Sequence, residues 1–233
     1  MRMHHLSTAL AVVSSATLAL AQECPPGYAR PGSINWVKCD SAKNDTLQCA
    51  TLEVPMDWTN PTAGEKLNLR LVRRPASNET ENPKSIITNP GGPGASGINN
   101  LVEGDYQSTF GDNFHFISFD PRGVGLTTPF TCPKAGPGGS YNTEEGLADA
   151  FTAQKNQSDL CAGANYITLI GTAFVARDIN AIAEAIGEDG LIRYLGYSYG
   201  TLLGVTLAAM FPEKVDKFIL DGNINPNDYY RGL

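Results

Sequence analysis

The 233-residue sequence is poor in positive charge. It contains 17 Lys and Arg residues against 24 Asp and Glu residues, which gives a formal net charge of −7. This balance argues against nucleic acid or an anionic membrane surface as a partner, because both attract basic proteins. Beyond residues 1–21, no apolar stretch is long enough to span a bilayer. With 42% hydrophobic and 18% charged residues, the composition is typical of a globular protein and argues against disorder.

Residues 1–21 have the pattern of a secretory signal peptide. Arg2 and the two following histidines give a weakly basic start, residues 6–20 are small and apolar, and Ala19-Leu20-Ala21 matches an A-x-A cleavage site. An N-terminal membrane anchor is the alternative, but the apolar run is short and is interrupted by Ser and Thr. We therefore expect a secreted, extracellular protein that keeps no membrane segment after signal cleavage.

The cysteines and three glycosylation sequons agree with secretion. The five cysteines fit no metal-ligand spacing and are typical of disulfides in an oxidising compartment, although the odd number leaves one thiol over. Three Asn-x-Ser/Thr sequons lie in polar segments that could carry glycans. The sequons begin at Asn44, Asn78 and Asn156, and the cysteines are Cys24, Cys39, Cys49, Cys132 and Cys161.

After an irregular N-terminal arm, residues 22–48, strand and helix patterns alternate. Residues 66–73 alternate polar and apolar side chains, as a half-exposed strand does, whereas residues 114–119 are apolar on both faces, as in a buried parallel strand. Apolar residues at spacings of three and four predict an amphipathic helix that ends near Gly187. We predict other strands at 49–58, 84–88, 191–195 and 215–220, and helices at 96–103 and from Thr143. This order predicts an α/β protein with a mostly parallel sheet and helices on both faces.

The most informative stretch is Gly196-Tyr-Ser-Tyr-Gly200, which follows an apolar strand and precedes a helix-compatible run. This is the G-x-S-x-G pattern in the strand–turn–helix context of a nucleophile elbow. The turn strains the serine backbone and exposes its hydroxyl, while the flanking glycines let neighbouring backbone pass closely. The sequence thus predicts Ser198 as a hydrolase nucleophile; the alternative is an ordinary turn with an exposed serine.

Acyl transfer at a serine also needs N–H donors for the oxyanion. One candidate is the backbone N–H of Tyr199, at the start of the helix after the elbow. The other should come from a loop after an earlier strand, and the segment 90–94, Pro-Gly-Gly-Pro-Gly, is in the right place. We favour Gly92 as this second donor, with Gly91 as the near alternative.

The same loop invites a competing hypothesis, because residues 92–97 match the dinucleotide-binding pattern G-x-G-x-x-G. The match follows a strand, and Asp120 ends the next strand at a suitable distance to bind a ribose. Against this, three residues separate the strand from the first glycine, Pro93 lacks a phosphate-facing N–H, and a secreted protein meets little nicotinamide cofactor. We expect neither a cofactor nor a metal.

Histidine is almost absent, which makes a general base hard to find. Of the three histidines, His4 and His5 lie in the predicted signal peptide and His115 lies inside a predicted buried strand that precedes the serine. Hydrolases with this elbow have the order Ser, Asp or Glu, then His, so we expect His115 to be a packing residue. Asp221 could be the acid, although Asp-Gly is more often a turn that ends a strand. The triad Asp and His are therefore not identified in this chain.

Taken together, the segments 89–97, 119–125 and 196–201 give the sequence a specific resemblance. In this order they resemble the secreted tripeptidyl aminopeptidases, relatives of the prolyl aminopeptidases in the α/β-hydrolase superfamily. Residues 49–58 and 219–222 are also similar to that family, so the resemblance covers about residues 36–228.

The resemblance implies a serine peptidase that releases short peptides from free N-termini without metal or cofactor. It implies Ser198 as nucleophile and Gly92 with Tyr199 as backbone oxyanion donors. Arg122 would shape the wall of the site or form a buried structural ion pair. The implied disulfides are Cys39–Cys49 and Cys132–Cys161, which would leave Cys24.

The chain departs from that family after Asp221-Gly222, where family members continue into a helical cap and further strands with the catalytic Asp and His. We therefore expect residues 49–233 to be the N-terminal part of an α/β-hydrolase domain, with the cap and last strands missing and an apolar strand left at an open edge. Two alternatives stay open: an inactive, truncated hydrolase-like protein that at most binds partners, and a secreted esterase or lipase.

Overall fold

The computed structural model describes residues 32–40, 46–62, 64–78, 82–129, 142–162 and 166–232. The predicted signal peptide, Cys24, Asn44 and Cys132 lie outside these residues.

The described strands and helices follow the predicted alternation. The strands are β1 Val37–Lys38, β2 Gln48–Pro55, β3 Lys66–Arg74, β4 Lys84–Asn89, β5 Phe114–Asp120, β6 Ile192–Tyr197 and β7 Val215–Asp221. The helices are α1 Gly97–Glu103, α2 Tyr106–Phe110, α3 Glu144–Cys161, α4 Thr172–Ile186, α5 Tyr199–Met210 and α6 Pro226–Arg231, with 3-10 turns at Ile167–Leu169 and Pro212–Lys214. Neither α2 nor α6 was predicted, whereas α3 begins at the predicted place, with Thr143 as its N-cap.

The strands form one mixed sheet in the order β1-β2-β3-β5-β4-β6-β7. The pairs β1–β2, β2–β3 and β3–β5 are antiparallel, whereas β5, β4, β6 and β7 pair in parallel. Since β4 lies between β5 and β6, the carboxyl ends of these three parallel strands meet at one edge of the sheet.

Helices cover both faces of the sheet, as predicted. On one face, α4 and α5 pack against the larger hydrophobic cluster, and the apolar side of α4 is fully buried at Ile179 and Ile182. Burying each such side chain contributes roughly 1.5–3 kcal/mol. On the other face, α1 and α2 pack Leu101 and Tyr106 against Phe116 of β5. The amphipathic helix α4 thus ends where the sequence predicted, at Gly187 in the left-handed conformation.

The strand β7 is the edge of the described sheet and is less covered than its neighbours. Its side chains alternate between exposed and half-buried positions along the whole strand. Val215 is 36% and Ile219 is 49% exposed, in contrast to the buried Ile192 and Leu195 of β6. The half of the sheet around β4, β5 and β6 is therefore the well-packed part.

One of the two disulfides implied by the resemblance is present. Cys39 and Cys49 are bonded, with a Cα–Cα distance of 5.0 Å, and this bridge ties the arm to β2. Cys161 is also disulfide-bonded. The sequon residues Asn78 and Asn156 are exposed. Within the described ranges, no helix is both long and apolar enough to cross a membrane.

Candidate active site

Ser198 is the single residue between β6 and α5, and it lies at the carboxyl edge of the sheet. Its backbone has φ 52° and ψ −120°, a conformation that few residues other than glycine adopt. The turn is this sharp because the flanking glycines allow it: a Cβ on Gly196 would lie 2.4 Å from the carbonyl oxygen of Gly200. A Cβ on Gly200 would lie 2.6 Å from the carbonyl oxygen of Asn89. Ser198 itself is exposed, as a nucleophile must be.

Hydrogen bonds from two neighbouring segments hold the backbone of Ser198. Its N–H donates to the carbonyl oxygen of Asp221 at 2.9 Å, so the end of β7 supports the turn. Its carbonyl oxygen accepts from both the N–H and the hydroxyl of Thr201, at 2.9 and 2.6 Å. The same hydroxyl oxygen accepts from the N–H of Ile224 at 3.0 Å. Thr201 therefore links the strained turn to the segment after β7.

The loop after β4 lies directly against this turn, and Asn89 sets its conformation. The side-chain Oδ1 of Asn89 accepts from the N–H of Gly91 at 2.9 Å. Gly91 has φ 93°, and a Cβ there would lie 2.4 Å from the carbonyl oxygen of Tyr197 and 2.9 Å from the nitrogen of Tyr199. The N–H of Gly91 is therefore already occupied, which removes the alternative oxyanion donor.

Two backbone N–H groups, one in the turn at Ser198 and one in the loop that packs against it, have no acceptor among the described residues. The first belongs to Gly92, which follows the occupied Gly91 in the loop. The second belongs to Tyr199, the first residue of α5, where a helix leaves its N–H groups unpaired. The two backbone N–H groups that the sequence favoured as oxyanion donors are therefore unpaired.

The dinucleotide hypothesis requires a free carboxylate at the end of β5, and Asp120 does not provide one. It is 1% exposed, and it accepts from the Ser96 hydroxyl at 2.6 Å and from the N–H groups of Ile98 and Leu126 at 3.2 and 2.8 Å. These bonds fix the start of α1 and the turn after β5. Asp120 is therefore a structural residue of the loop, and no group of three or more potential metal ligands occurs in the described ranges.

Arg122 forms a buried ion pair. Its side chain is 1% exposed and that of Asp178, in α4, is 0% exposed. The guanidinium donates two bonds of 2.7 Å to Asp178 and three bonds to carbonyl oxygens, those of Met56, Leu169 and Pro55. Trp58 donates a further bond to Asp178. Burial raises the pKa of the Asp178 carboxyl, and the Arg122 guanidinium opposes this rise.

His115, the one histidine among the described residues, lies at the opposite end of the sheet from Ser198. It pairs with Ser85 at the start of β4, whereas Asn89 at the end of β4 pairs with Gly196. Four residues of strand separate these positions, about 13 Å. The Nδ1 of His115 accepts from the N–H of Ala76 at 2.9 Å, and burial lowers its pKa, with a further contribution from Arg73. These contacts support a packing role.

Sequence reasoning missed the two residues that position the site, Asn89 and Thr201. Each borders a motif that was recognised, since Asn89 precedes the glycine-rich loop and Thr201 follows the elbow. Asp221 contributes its backbone carbonyl to the turn, and its side chain lies on the same face of the sheet as that of Tyr197. Its role as a triad acid stays a prediction.

Three curated relatives are similar to most of this chain. Serine protease Hip1 of Mycobacterium tuberculosis is 35% identical over 227 residues, which is 89% of this chain and 42% of that protein. Tripeptidyl aminopeptidase of Streptomyces lividans is 31% identical over 215 residues, 85% of this chain and 40% of that protein. Carboxylesterase B of Mycobacterium tuberculosis is 32% identical and covers 92% of this chain and 45% of that protein. The chain thus spans less than half the length of these relatives.

The family description agrees with the observed sheet order and with the strand–turn–helix at Ser198. The family profile for the alpha/beta hydrolase fold matches residues 84–231, from the start of β4 through α6. This range contains the loop after β4, the buried loop after β5 and the turn at Ser198. The chain therefore belongs to the alpha/beta hydrolase fold family.

Proposed function

We propose that this chain carries the nucleophile and oxyanion donors of a secreted serine hydrolase. The observation that supports this most strongly is the strained, exposed Ser198 with the unpaired N–H of Tyr199 beside it and that of Gly92 in the loop that packs against the turn. Such a turn costs of order 1–3 kcal/mol in backbone strain and persists where the surrounding structure holds it. Here the carbonyl of Asp221 and the hydroxyl of Thr201 hold it.

In the proposed reaction, the Ser198 hydroxyl attacks a carbonyl carbon and forms a tetrahedral intermediate. The carbonyl oxygen becomes an oxyanion, which accepts hydrogen bonds from the N–H groups of Gly92 and Tyr199. The intermediate expels the leaving group and becomes an acyl-enzyme, which water then hydrolyses to release the acid. A base must take the Ser198 proton and return it to the leaving group; His115 is too distant, and we assign no other residue to this role.

The substrate that we propose is a peptide with a free N-terminus, cleaved without a cofactor or metal. Two relatives named serine protease and tripeptidyl aminopeptidase support this choice at 31–35% identity. A secreted protein would meet such peptides, and the disulfide between Cys39 and Cys49 is consistent with an oxidising compartment.

An esterase is the second candidate, because the relative named carboxylesterase B is 32% identical to this chain. Esters and peptides are attacked by the same serine and stabilised by the same oxyanion donors, so the residues described above serve both reactions. The two candidates differ in how they treat the free amine of a peptide.

The test is hydrolysis by the secreted chain of three matched substrates: a tripeptide p-nitroanilide, its N-acetylated form and a p-nitrophenyl ester. The proposed peptidase releases nitroaniline faster from the free tripeptide than from the acetylated one. An esterase cleaves the ester alone, and a non-catalytic protein cleaves none of the three. Ser198→Ala should abolish this turnover, whereas the exposed control Ser77→Ala should leave it unchanged. Equal turnover by Ser198→Ala would overturn the proposal.

A further inference from the structure

A cavity of about 260 Å³ lies beside the turn at Ser198, between the loops after β4 and β5 and the N-terminal halves of α4 and α5. Ligand pockets usually measure about 300–1,000 Å³, so this one has room for a single side chain rather than a whole substrate. Its walls are mainly apolar: Pro93, Val124, Ile170, Val175, Tyr199 and Leu203.

One polar group in the wall of this cavity is unpaired. Asn89 is 2% exposed and lines the cavity. Its Oδ1 accepts from the N–H of Gly91, and this bond fixes the orientation of the amide. The Nδ2 group has no acceptor in the part of the chain that the structure describes, and it is not among the fully buried unpaired atoms, so water can reach it. A ligand with an acceptor can therefore replace water as the partner of this donor.

The cavity contains no unpaired charge. Arg122 also lines it, but all five N–H groups of its guanidinium are bonded to Asp178 and to three carbonyl oxygens. A charged ligand would therefore lose its hydration without gaining a partner, which is costly. The group that fits has an apolar stem and a neutral acceptor at its end.

We propose that this cavity is a substrate subsite for a neutral, acceptor-bearing side chain such as glutamine, on the residue whose carbonyl Ser198 attacks. The proposal rests on the proposed function, because the cavity shares Gly91 and Tyr199 with the loop and turn that surround Ser198. The stem contacts the apolar wall, and the side-chain carbonyl accepts from Nδ2 of Asn89. A side chain of the same length without an acceptor leaves that donor buried and unpaired, so it binds more weakly.

The test measures binding to the full chain carrying Ser198→Ala, so that it does not depend on turnover. The probes are the tripeptides Ala-Ala-Gln, Ala-Ala-Glu and Ala-Ala-norleucine, and the readout is the NMR signal of the Asn89 side-chain amide, assigned with Asn89→Asp. Ala-Ala-Gln should shift this signal and bind at least about tenfold more tightly than the other two. Asn89→Asp keeps the acceptor for Gly91 but removes the donor, and should abolish the preference for glutamine.

Val124→Phe fills the cavity at a half-buried loop position and should remove binding of Ala-Ala-Gln, while the matched Val124→Ala should retain it. Equal or tighter binding of norleucine, or an Asn89 signal that no peptide shifts, would overturn the subsite. Wild-type turnover without the preference for glutamine overturns the subsite and leaves the proposed function standing. Binding with the preference, but without turnover by the wild-type chain, overturns the proposed function alone.

Discussion

The loops after β4 and β5 are neighbours at the same edge of the sheet and are built from similar residues, but they use their polar groups in opposite ways. Both begin with Asn or Asp and contain proline and glycine. In the loop after β5, Asp120 and Arg122 are buried and fully bonded. In the loop after β4, the Gly92 N–H and the Asn89 Nδ2 group have no acceptor among the described residues.

This difference separates polar groups that stabilise the fold from polar groups that can contact a ligand. A polar group that is satisfied within the protein stabilises the fold and has little capacity left for a substrate. A polar group that stays unpaired beside an exposed nucleophile is available to a ligand or to a charge that develops during reaction. The polar side chains of the loop after β5 therefore support the fold, whereas the unpaired donors of the loop after β4 are the candidate polar contacts for a ligand.

The largest expected effect comes from removing the buried Arg122–Asp178 ion pair, which holds the loop after β5. Arg122→Met removes five hydrogen-bond donors and leaves Asp178 buried without its counter-charge, so the free energy of unfolding should fall by about 3–5 kcal/mol. Urea denaturation followed by circular dichroism measures this loss. The control is Lys155→Met, which breaks an exposed pair with Asp159 and should cost less than about 1 kcal/mol. Equal losses in the two variants would mean that the buried pair does not support the loop.

The second-largest expected effect concerns the loop after β4, where two glycines can be compared as a matched pair. Both have positive φ, 93° at Gly91 and 97° at Gly94, but only at Gly91 would a Cβ contact backbone, with two atoms closer than 3.0 Å. Gly94→Ala should cost about 1–3 kcal/mol from strain alone. Gly91→Ala should cost at least about 1 kcal/mol more and should slow acylation of Ser198 by displacing the loop from the turn. Thermal melts and acylation rates that are the same for both variants would contradict this.

The smallest effect concerns the opposite end of the sheet, where His115 serves as a reference outside the site. Burial lowers its folded-state pKa below 6.5, so the unfolded chain binds more protons as the pH falls through that value, and the free energy of unfolding decreases. His115→Asn keeps an acceptor for the N–H of Ala76 but does not titrate. It should flatten the decrease between neutral pH and about pH 5 in denaturant titrations. An unchanged pH dependence would exclude His115 as its source.

Much of the fold could be predicted because local patterns encode it. The apolar spacing of α4 and its end at Gly187, the two-sided apolar run of β5 and the G-x-S-x-G turn each depend on a few adjacent residues. The helix α2 was missed because five residues are too few to show periodicity. The partner of Arg122 was missed because Asp178 lies 56 residues further along the chain. The open donor on Asn89 depends on the orientation of one amide, which tertiary contacts decide.

The most direct test of the central claim is to locate the covalent adduct of a fluorophosphonate probe by peptide mass spectrometry. The reagent reacts with activated serines, so the account predicts one adduct, on the peptide that contains Ser198, and its loss in Ser198→Ala. An adduct that persists in Ser198→Ala, or one located on a peptide without Ser198, would contradict the assignment of Ser198 as the nucleophile.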